Sequence, residues 1–123
     1  MENILIIDDE EDVLLSLGRL LENNGYNVTT LSRPEAAINM VNVLMPDIIL
    51  LDIKLAELDG RDICMQLKST TRTKRTKIIL ISGLVVSKEE YVGYGADDFI
   101  EKPINFSVLL KKIKLFLSDK VNA

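Results

Sequence analysis

Short apolar runs alternate along the chain with longer stretches in which apolar residues recur every three or four positions. The runs have the length of β-strands, and the longer stretches have the helical period of elements that bury one face. The predicted strands are residues 3–8, 26–31, 47–52, 77–82 and 97–101. The pattern therefore predicts a β-α unit that repeats about five times.

The predicted helices carry boundary signals of their own. They cover residues 11–24, 32–44, a stretch that begins after Gly60, and 106–118. Ser32 and Glu35 have the spacing of a capping box at the start of the second helix, and Asn105 is placed to cap the last one. Residues 83–96 contain three glycines, so we expect a short or irregular fourth helix there.

Three of the predicted strands are apolar on both faces, which is typical of a parallel sheet covered by helices on both sides. Right-handed crossovers leave few topologies for such a chain. The predicted fold class is therefore α/β, with a doubly wound parallel sheet. In sheets of this kind, ligands bind beyond the carboxyl ends of the strands.

Composition narrows the class of protein. At 123 residues the chain fits one domain, which we expect to span residues 1–123, and its net charge of −4 argues against nonspecific binding of nucleic acid. One cysteine, Cys64, permits no intrachain disulfide, and the lack of histidine excludes serine–histidine and cysteine–histidine hydrolases. The sequence shows neither a signal peptide nor an apolar run long enough to span a membrane, so we expect a cytoplasmic protein.

Polar side chains stand at the predicted carboxyl ends of four strands. Asp8 and Asp9 end the first strand, and Asp52 ends the third. Ser82 ends the fourth strand, and Lys102 follows the fifth. Because the carboxyl ends of parallel strands meet at one edge of the sheet, we expect all of these side chains to share that edge.

This set of side chains suits metal-assisted phosphoryl transfer. Carboxylates held close together cannot all stay ionised unless a cation intervenes or some of them bind protons. Oxygen ligands favour a hard cation, and Mg²⁺ suits best, with Mn²⁺ as a substitute, because Mg²⁺ keeps waters and recruits phosphate oxygens. A lysine and a hydroxyl beside the metal are what a phosphoryl group needs, and a carboxylate can itself be the nucleophile.

Four segments together resemble the receiver domain of two-component response regulators. They are "DD" at 8–9, "LLDIKL" at 50–55, "LIS" at 80–82 and "FIEKP" at 99–103. The resemblance covers nearly the whole chain, and it implies a flavodoxin-like (βα)5 fold with strand order 2-1-3-4-5. It also implies a signalling domain that catalyses only its own aspartyl phosphorylation and dephosphorylation, and not an enzyme with a separate substrate.

The resemblance assigns roles to residues of the predicted metal site. It implies that Asp52 is the phosphoacceptor and a metal ligand. Asp9 is expected to bind Mg²⁺ directly, and Asp8 mainly through water. Lys54 is expected to supply its backbone carbonyl to the metal, and Lys102 to contact the phosphoryl oxygens.

The resemblance also implies a switch. The hydroxyl of Ser82 is expected to move to the phosphate while the ring of Phe99 turns inward. The peptide bond between Lys102 and Pro103 is expected to be cis.

By the same resemblance, the phosphoryl donor is a sensor histidine kinase or a histidine phosphotransfer protein. The output is expected to be a downstream protein target, with no membrane contact and no direct nucleic-acid binding by this domain, and phosphorylation-dependent dimerisation is a further option. The chain is either a free-standing regulator or a receiver module of a longer regulator that carries a DNA-binding, cyclase or kinase part.

Two rivals fit the sequence less well. Phosphatase-like enzymes with an aspartate nucleophile usually carry a second aspartate where this chain has Lys54. A flavin-binding domain of similar topology would need a phosphate-binding loop rich in glycine, serine or threonine after the first strand, and acids stand there instead.

One position departs from the family pattern, and one segment has two interpretations. Ala56 stands where the family often has a proline, which predicts a less rigid loop. Residues 68–77 carry five positive charges. They form either a docking patch for an acidic partner or nucleic acid, or a solvated loop, and loops of this kind favour the second interpretation.

Overall fold

The computed structural model describes residues 2–122, with side chains described for residues 2–118. Five parallel strands form the main sheet of this part of the chain: β1 Asn3–Ile7, β2 Asn27–Leu31, β3 Ile48–Asp52, β4 Lys77–Ser82 and β5 Asp98–Glu101. Their order in the sheet is 2-1-3-4-5, which confirms the predicted topology. A short antiparallel hairpin, Lys54–Leu55 with Leu58–Asp59, follows β3.

Helices fill the connections between the strands and follow the last one: α1 Glu11–Asn23, α2 Ala37–Leu44, α3 Gly60–Lys68, α4 Lys88–Gly93 and α5 Phe106–Asn122. Helix α4 has six residues, which confirms the expectation of a short fourth helix. The N–H of Val108 donates to the side chain of Asn105 at 3.2 Å, which confirms the predicted cap of α5. No helix within residues 2–122 has both the length and the apolar character needed to cross a membrane.

The start of α2 differs from the prediction. A 3-10 turn, Pro34–Ala36, precedes the helix, and neither the turn nor the helix receives a side-chain cap hydrogen bond. The capping box predicted for Ser32 and Glu35 is therefore wrong. Because Pro34 begins the turn, Arg33 takes the capping position, and the hydroxyl of Ser32 lies one residue too early to serve as the cap.

Alternating strand residues divide the apolar core into two layers. Leu5 and Leu51 lie on the face that packs against α2 and α3. Ile6 and Leu50 lie on the opposite face, against α1 and α5. Strands β1 and β3 are therefore covered on both sides, which explains their continuous apolar sequences. With both faces buried, the sheet presents its polar residues at the strand ends.

Cys64 belongs to the layer under α2 and α3, where it is fully buried. Burial raises the pKa of its thiol to about 12. The side chain therefore acts as a small apolar core residue.

Candidate functional site

The carboxyl ends of β1 and β3 lie side by side, since Ile7 is the register partner of Leu51. Asp8 and Asp9 follow Ile7, and Asp52 follows Leu51 as the last residue of β3. The parallel register therefore brings the three predicted carboxylates together. One oxygen of each lies within 4.8 Å of the others.

These carboxylates differ in their exposure to solvent. Asp8 and Asp52 are buried, with 2% and 4% of their surfaces exposed, whereas Asp9 is exposed. The cluster therefore has a buried floor and an open side. Three carboxylate oxygens with access to water are a donor set that fits Mg²⁺, which binds a few carboxylates and keeps several waters.

Lys102 faces the cluster from the segment after β5. Its backbone N–H donates to the carbonyl of Ser82 at 2.8 Å, and its peptide bond with Pro103 is cis. The ammonium nitrogen Nζ lies 3.0 Å from Asp52 Oδ2 and 3.5 Å from Asp8 Oδ2. One ammonium group thus contacts two buried carboxylates, and a third carboxylate lies nearby. The cluster therefore carries more negative than positive charge.

Burial and charge crowding set the proton affinities at the site. Burial raises the pKa of Asp8 to about 6; the charge of Asp52 adds to this rise, while the N–H of Glu10 and the ammonium of Lys102 oppose it. For Lys102, burial lowers the pKa, but its contacts with the two carboxylates outweigh burial and raise the pKa overall. Lys102 therefore stays protonated, while Asp8 resists ionisation in the metal-free protein.

Each carboxylate of the cluster also accepts a hydrogen bond from a backbone N–H. The donors are Glu10 to Asp8 at 2.9 Å, Ala56 to Asp9 at 3.0 Å, and Lys54 to Asp52 at 3.4 Å. Sequence reasoning missed these donors, because a backbone N–H is present in nearly every residue type. Each bond therefore holds one oxygen of its carboxylate.

The loop after Asp52 passes very close to the end of β3. The N–H of Gly60 donates to the carbonyl of Ile53 at 2.7 Å. A Cβ atom at Gly60 would clash with the carbonyl oxygen of Asp52, so this approach requires glycine. Sequence reasoning missed this role, since the Asp-Gly pair at the start of α3 by itself indicates only a turn or helix start.

The predicted switch residues lie on the neighbouring strands. Ser82 ends β4, is buried, and accepts a hydrogen bond from the N–H of Leu84 at 3.0 Å. Phe99 of β5 is half-buried and stacks on Tyr91 of α4, with ring centroids 6.4 Å apart. The structure thus places Ser82 at the same edge as the cluster, and Phe99 against α4.

Comparison with known proteins identifies the family to which this chain belongs. Residues 4–114 match the family model of the response regulator receiver domain. The chain is 33% identical over 121 residues to the alkaline phosphatase synthesis transcriptional regulatory protein PhoP of Bacillus subtilis (strain 168), covering 94% of this chain and 48% of that protein. It is 34% identical over 114 residues to the response regulator MprA of Mycobacterium leprae (strain TN), covering 93% of this chain and 50% of that protein. The chain therefore belongs to the response regulator receiver domain family, and it spans about half the length of the curated relatives it matches.

Solved structures agree with this assignment. The receiver domain of a DNA-binding response regulator from Colwellia psychrerythraea 34H has a TM-score of 0.89 and 30% identity, over 96% of this chain and 99% of that one. The receiver domain of a signal transduction histidine kinase from Syntrophus aciditrophicus has a TM-score of 0.87 and 30% identity, over 97% of this chain and 92% of that one. The protein is thus a receiver domain of the two-component type, and receiver domains are signalling domains.

Proposed function

We propose that Asp52 accepts a phosphoryl group from a phosphohistidine of a sensor kinase or phosphotransfer protein, in a Mg²⁺-dependent reaction. The observation that carries the proposal is the convergence of Asp8, Asp9 and Asp52 within 4.8 Å, with Lys102 at 3.0 Å from Asp52. Such crowded carboxylates cost stability unless a cation neutralises them, and their arrangement around one lysine suits a phosphoryl group.

Three side chains and one backbone group would hold the metal. Asp9 and Asp52 are proposed as direct carboxylate ligands and Asp8 as a ligand acting mainly through water, while the carbonyl of Lys54 stays a predicted ligand. Bound there, Mg²⁺ supplies positive charge that neutralises the phosphoryl oxygens.

Asp52 is the nucleophile of the proposed transfer. A lone pair of its carboxylate forms the new O–P bond while the P–N bond to the donor imidazole breaks. The electron pair of the broken bond stays on the imidazole nitrogen, which takes up a proton. Since a carboxylate is already ionised, the step needs no general base, in keeping with a chain that contains no histidine. Water attack on the aspartyl phosphate at the same site would reverse the signal.

Lys102 and Ser82 are proposed to recognise the phosphoryl group. The ammonium of Lys102 is already 3.0 Å from the attacking carboxylate, so it is placed to donate to phosphoryl oxygens as they arrive. The hydroxyl of Ser82 would leave the N–H of Leu84 to join them. Phe99 would then turn inward from its stack with Tyr91, which biases the domain toward an active state that a partner recognises.

The setting of the domain is also a proposal. The chain matches about half the length of PhoP and MprA, an extent that is expected both for a receiver module within a longer regulator and for a free-standing receiver. We infer that residues 1–123 form one receiver domain, that it works in the cytoplasm beside its kinase, and that phosphorylation promotes its dimerisation or its binding to a protein target.

The test is phosphorylation with a small donor. The purified protein is incubated with acetyl phosphate and Mg²⁺, and intact mass is measured with and without alkaline treatment. We expect one base-labile phosphoryl group on the wild-type protein and none on Asp52→Asn. Removing Mg²⁺ with a chelator is expected to abolish labelling of the wild-type protein.

Asp62→Asn is the matched control, since Asp62 is an exposed carboxylate on α3. It should be labelled as fast as the wild-type protein. Equal labelling of Asp52→Asn and the wild-type protein would show that another residue is the phosphoacceptor.

A further inference from the structure

Ala56 occupies an unusual backbone conformation beside the metal site. It lies in the turn of the hairpin that follows β3, with a φ of 51°, in the left-handed region that favours glycine. Its N–H donates to Asp9 Oδ2 at 3.0 Å, across 47 positions of the chain. A strained non-glycine residue persists where the surrounding structure over-determines it. The contact with Asp9 is such a constraint.

Asp9 depends on this contact more than its neighbours depend on theirs. Asp8 and Asp52 are buried, and both contact the ammonium of Lys102. Asp9 is exposed, and the N–H of Ala56 is the hydrogen-bond donor that the structure gives its carboxylate within residues 2–118. Without that donor, an exposed aspartate is free to rotate its carboxylate into solvent.

We propose that Ala56 is a positioning residue: its backbone N–H, held in place by the left-handed turn, fixes Asp9 toward Asp8 and Asp52 before the metal arrives. The bond uses one oxygen of Asp9, and a carboxylate has lone pairs left for a cation. Preorganising an exposed ligand lowers the ordering cost of binding. The inference rests on the proposed function only in taking Asp9 as a metal ligand.

Two substitutions at position 56 separate the N–H from the side chain. Ala56→Pro removes the donor, and proline cannot adopt a φ of 51°. Ala56→Gly keeps the donor and adopts positive φ without strain. Mg²⁺ affinity is measured by calorimetric titration of the full chain, with no phosphoryl donor present. We expect Ala56→Pro to bind Mg²⁺ about tenfold more weakly than the wild-type protein, and Ala56→Gly to stay within about twofold of it.

A second measurement needs no metal and no proline variant. Amide hydrogen exchange of Ala56 is followed by NMR in the metal-free wild-type protein and in Asp9→Ala. We expect the amide to be protected in the wild-type protein and to exchange about tenfold faster in Asp9→Ala. This readout stands even where Ala56→Pro fails to fold, which its circular dichroism spectrum would reveal.

The outcomes separate the inference from the proposed function. No Mg²⁺ binding by the wild-type protein overturns the proposed metal site, whatever Ala56 does. Mg²⁺ binding that is equal in the wild-type protein and folded Ala56→Pro overturns the positioning role. An Ala56 amide that exchanges equally fast in the wild-type protein and in Asp9→Ala also overturns it.

Discussion

Two clusters of charged side chains lie at opposite ends of the parallel strands, and they are built differently. They are called here the amino-edge and the carboxyl-edge cluster. At the amino edge, before β5, Asp97 pairs with Lys68 at 2.7 Å and lies 3.8 Å from the ammonium of Lys77. Asp97 also accepts the N–H of Ile78 at 2.9 Å. At the carboxyl edge, Lys102 contacts two carboxylates, Asp8 and Asp52, of a cluster of three.

The amino-edge cluster is closed. The ammonium of Lys68 has three N–H donors, and it meets three acceptors: Asp97 at 2.7 Å and the carbonyls of Lys74 and Thr76 at 3.2 Å and 2.7 Å. Its one carboxylate, Asp97, is paired with the ammonium groups of both Lys68 and Lys77, so no negative charge is left without a partner. The cluster ties α3 to the segments before β4 and β5. Lys68 and Lys77 therefore serve the fold, while a docking role for the other basic residues of 68–77 stays a prediction.

The carboxyl-edge cluster is open. Its negative charge exceeds the positive charge that the described residues supply, and Asp9 faces solvent. Similar residue types therefore serve different purposes according to whether their carboxylates are paired. A cluster whose carboxylate is fully paired stabilises the fold, whereas a cluster with excess carboxylates at the strand ends leaves room for a cation that neutralises them.

Breaking the amino-edge cluster is expected to have the largest effect. Asp97→Ala leaves the ammonium of Lys68 without a counter-charge and the N–H of Ile78 without its acceptor. Because the Lys68 and Asp97 side chains are 15% and 22% exposed, we expect a loss of about 2–3 kcal/mol in the free energy of unfolding, less than for a fully buried pair. Urea denaturation at neutral pH measures it.

Two controls test the reason for that loss. Asp62→Ala removes an exposed acid from α3 and should change the free energy of unfolding by no more than about 0.5 kcal/mol. Adding Lys68→Met to Asp97→Ala should cost less than the sum of the single changes, because the unpaired charge disappears. Additive losses would contradict the closed network.

The open cluster should respond in the opposite direction. Burial raises the pKa of Asp8 to about 6 from an ordinary 3.8, which corresponds to a cost of about 3 kcal/mol for keeping it ionised. Asp8→Asn removes that charge while its side-chain oxygen can still accept the N–H of Glu10. That cost already includes the favourable contact with Lys102, but burying the amide of asparagine also costs free energy. We therefore expect a smaller net gain, about 1–2 kcal/mol, in the unfolding free energy of the metal-free protein near neutral pH.

Asp9→Asn is the matched control for this gain. Asp9 is exposed, so its change should alter the unfolding free energy by no more than about 0.5 kcal/mol. A loss of stability in metal-free Asp8→Asn would mean that the contact with Lys102 outweighs the cost of burial. The carboxylate of Asp8 would then be stably paired, like that of Asp97 in the amino-edge cluster.

The sequence predicts the open cluster far better than the closed one. Each acid of the open cluster directly follows or ends an apolar run, so a parallel sheet alone brings Asp8 and Asp52 to one edge. Lys68 and Asp97 are 29 positions apart, and their meeting depends on where α3 ends and how the next loop turns. No periodicity in the sequence encodes that geometry.

The capping-box rule failed because a neighbouring proline set the start of the turn. Ser32 and Glu35 have the spacing of a capping box, yet Pro34 starts a tight turn that moves the capping position to Arg33. The N–H of Ala56 and the close approach of Gly60 were also beyond prediction from sequence. Both depend on the backbone path after Asp52, and residue type carries little information about it.

The smallest expected effect is a coupling between Mg²⁺ binding and the protonation of Asp8 in the open cluster. The folded pKa of Asp8, about 6, lies above its ordinary 3.8. In the metal-free protein, protonated Asp8 therefore makes a contribution to the free energy of unfolding that is fully present below about pH 3.8. This contribution is lost as pH rises through about 6. Mg²⁺ favours the ionised carboxylate, so its stabilising effect should grow as that contribution disappears.

Thermal unfolding with and without MgCl2, at about pH 5 and about pH 7.5, measures this linkage. At a Mg²⁺ concentration about five times its dissociation constant, we expect a gain of about 1 kcal/mol at the higher pH and a clearly smaller gain at the lower pH. NaCl of equal ionic strength is the control, because screening alone would act at both pH values. An equal gain with both salts would show that the carboxylates respond to ionic strength and hold no specific cation, and the contrast between the two edges would lose its functional meaning.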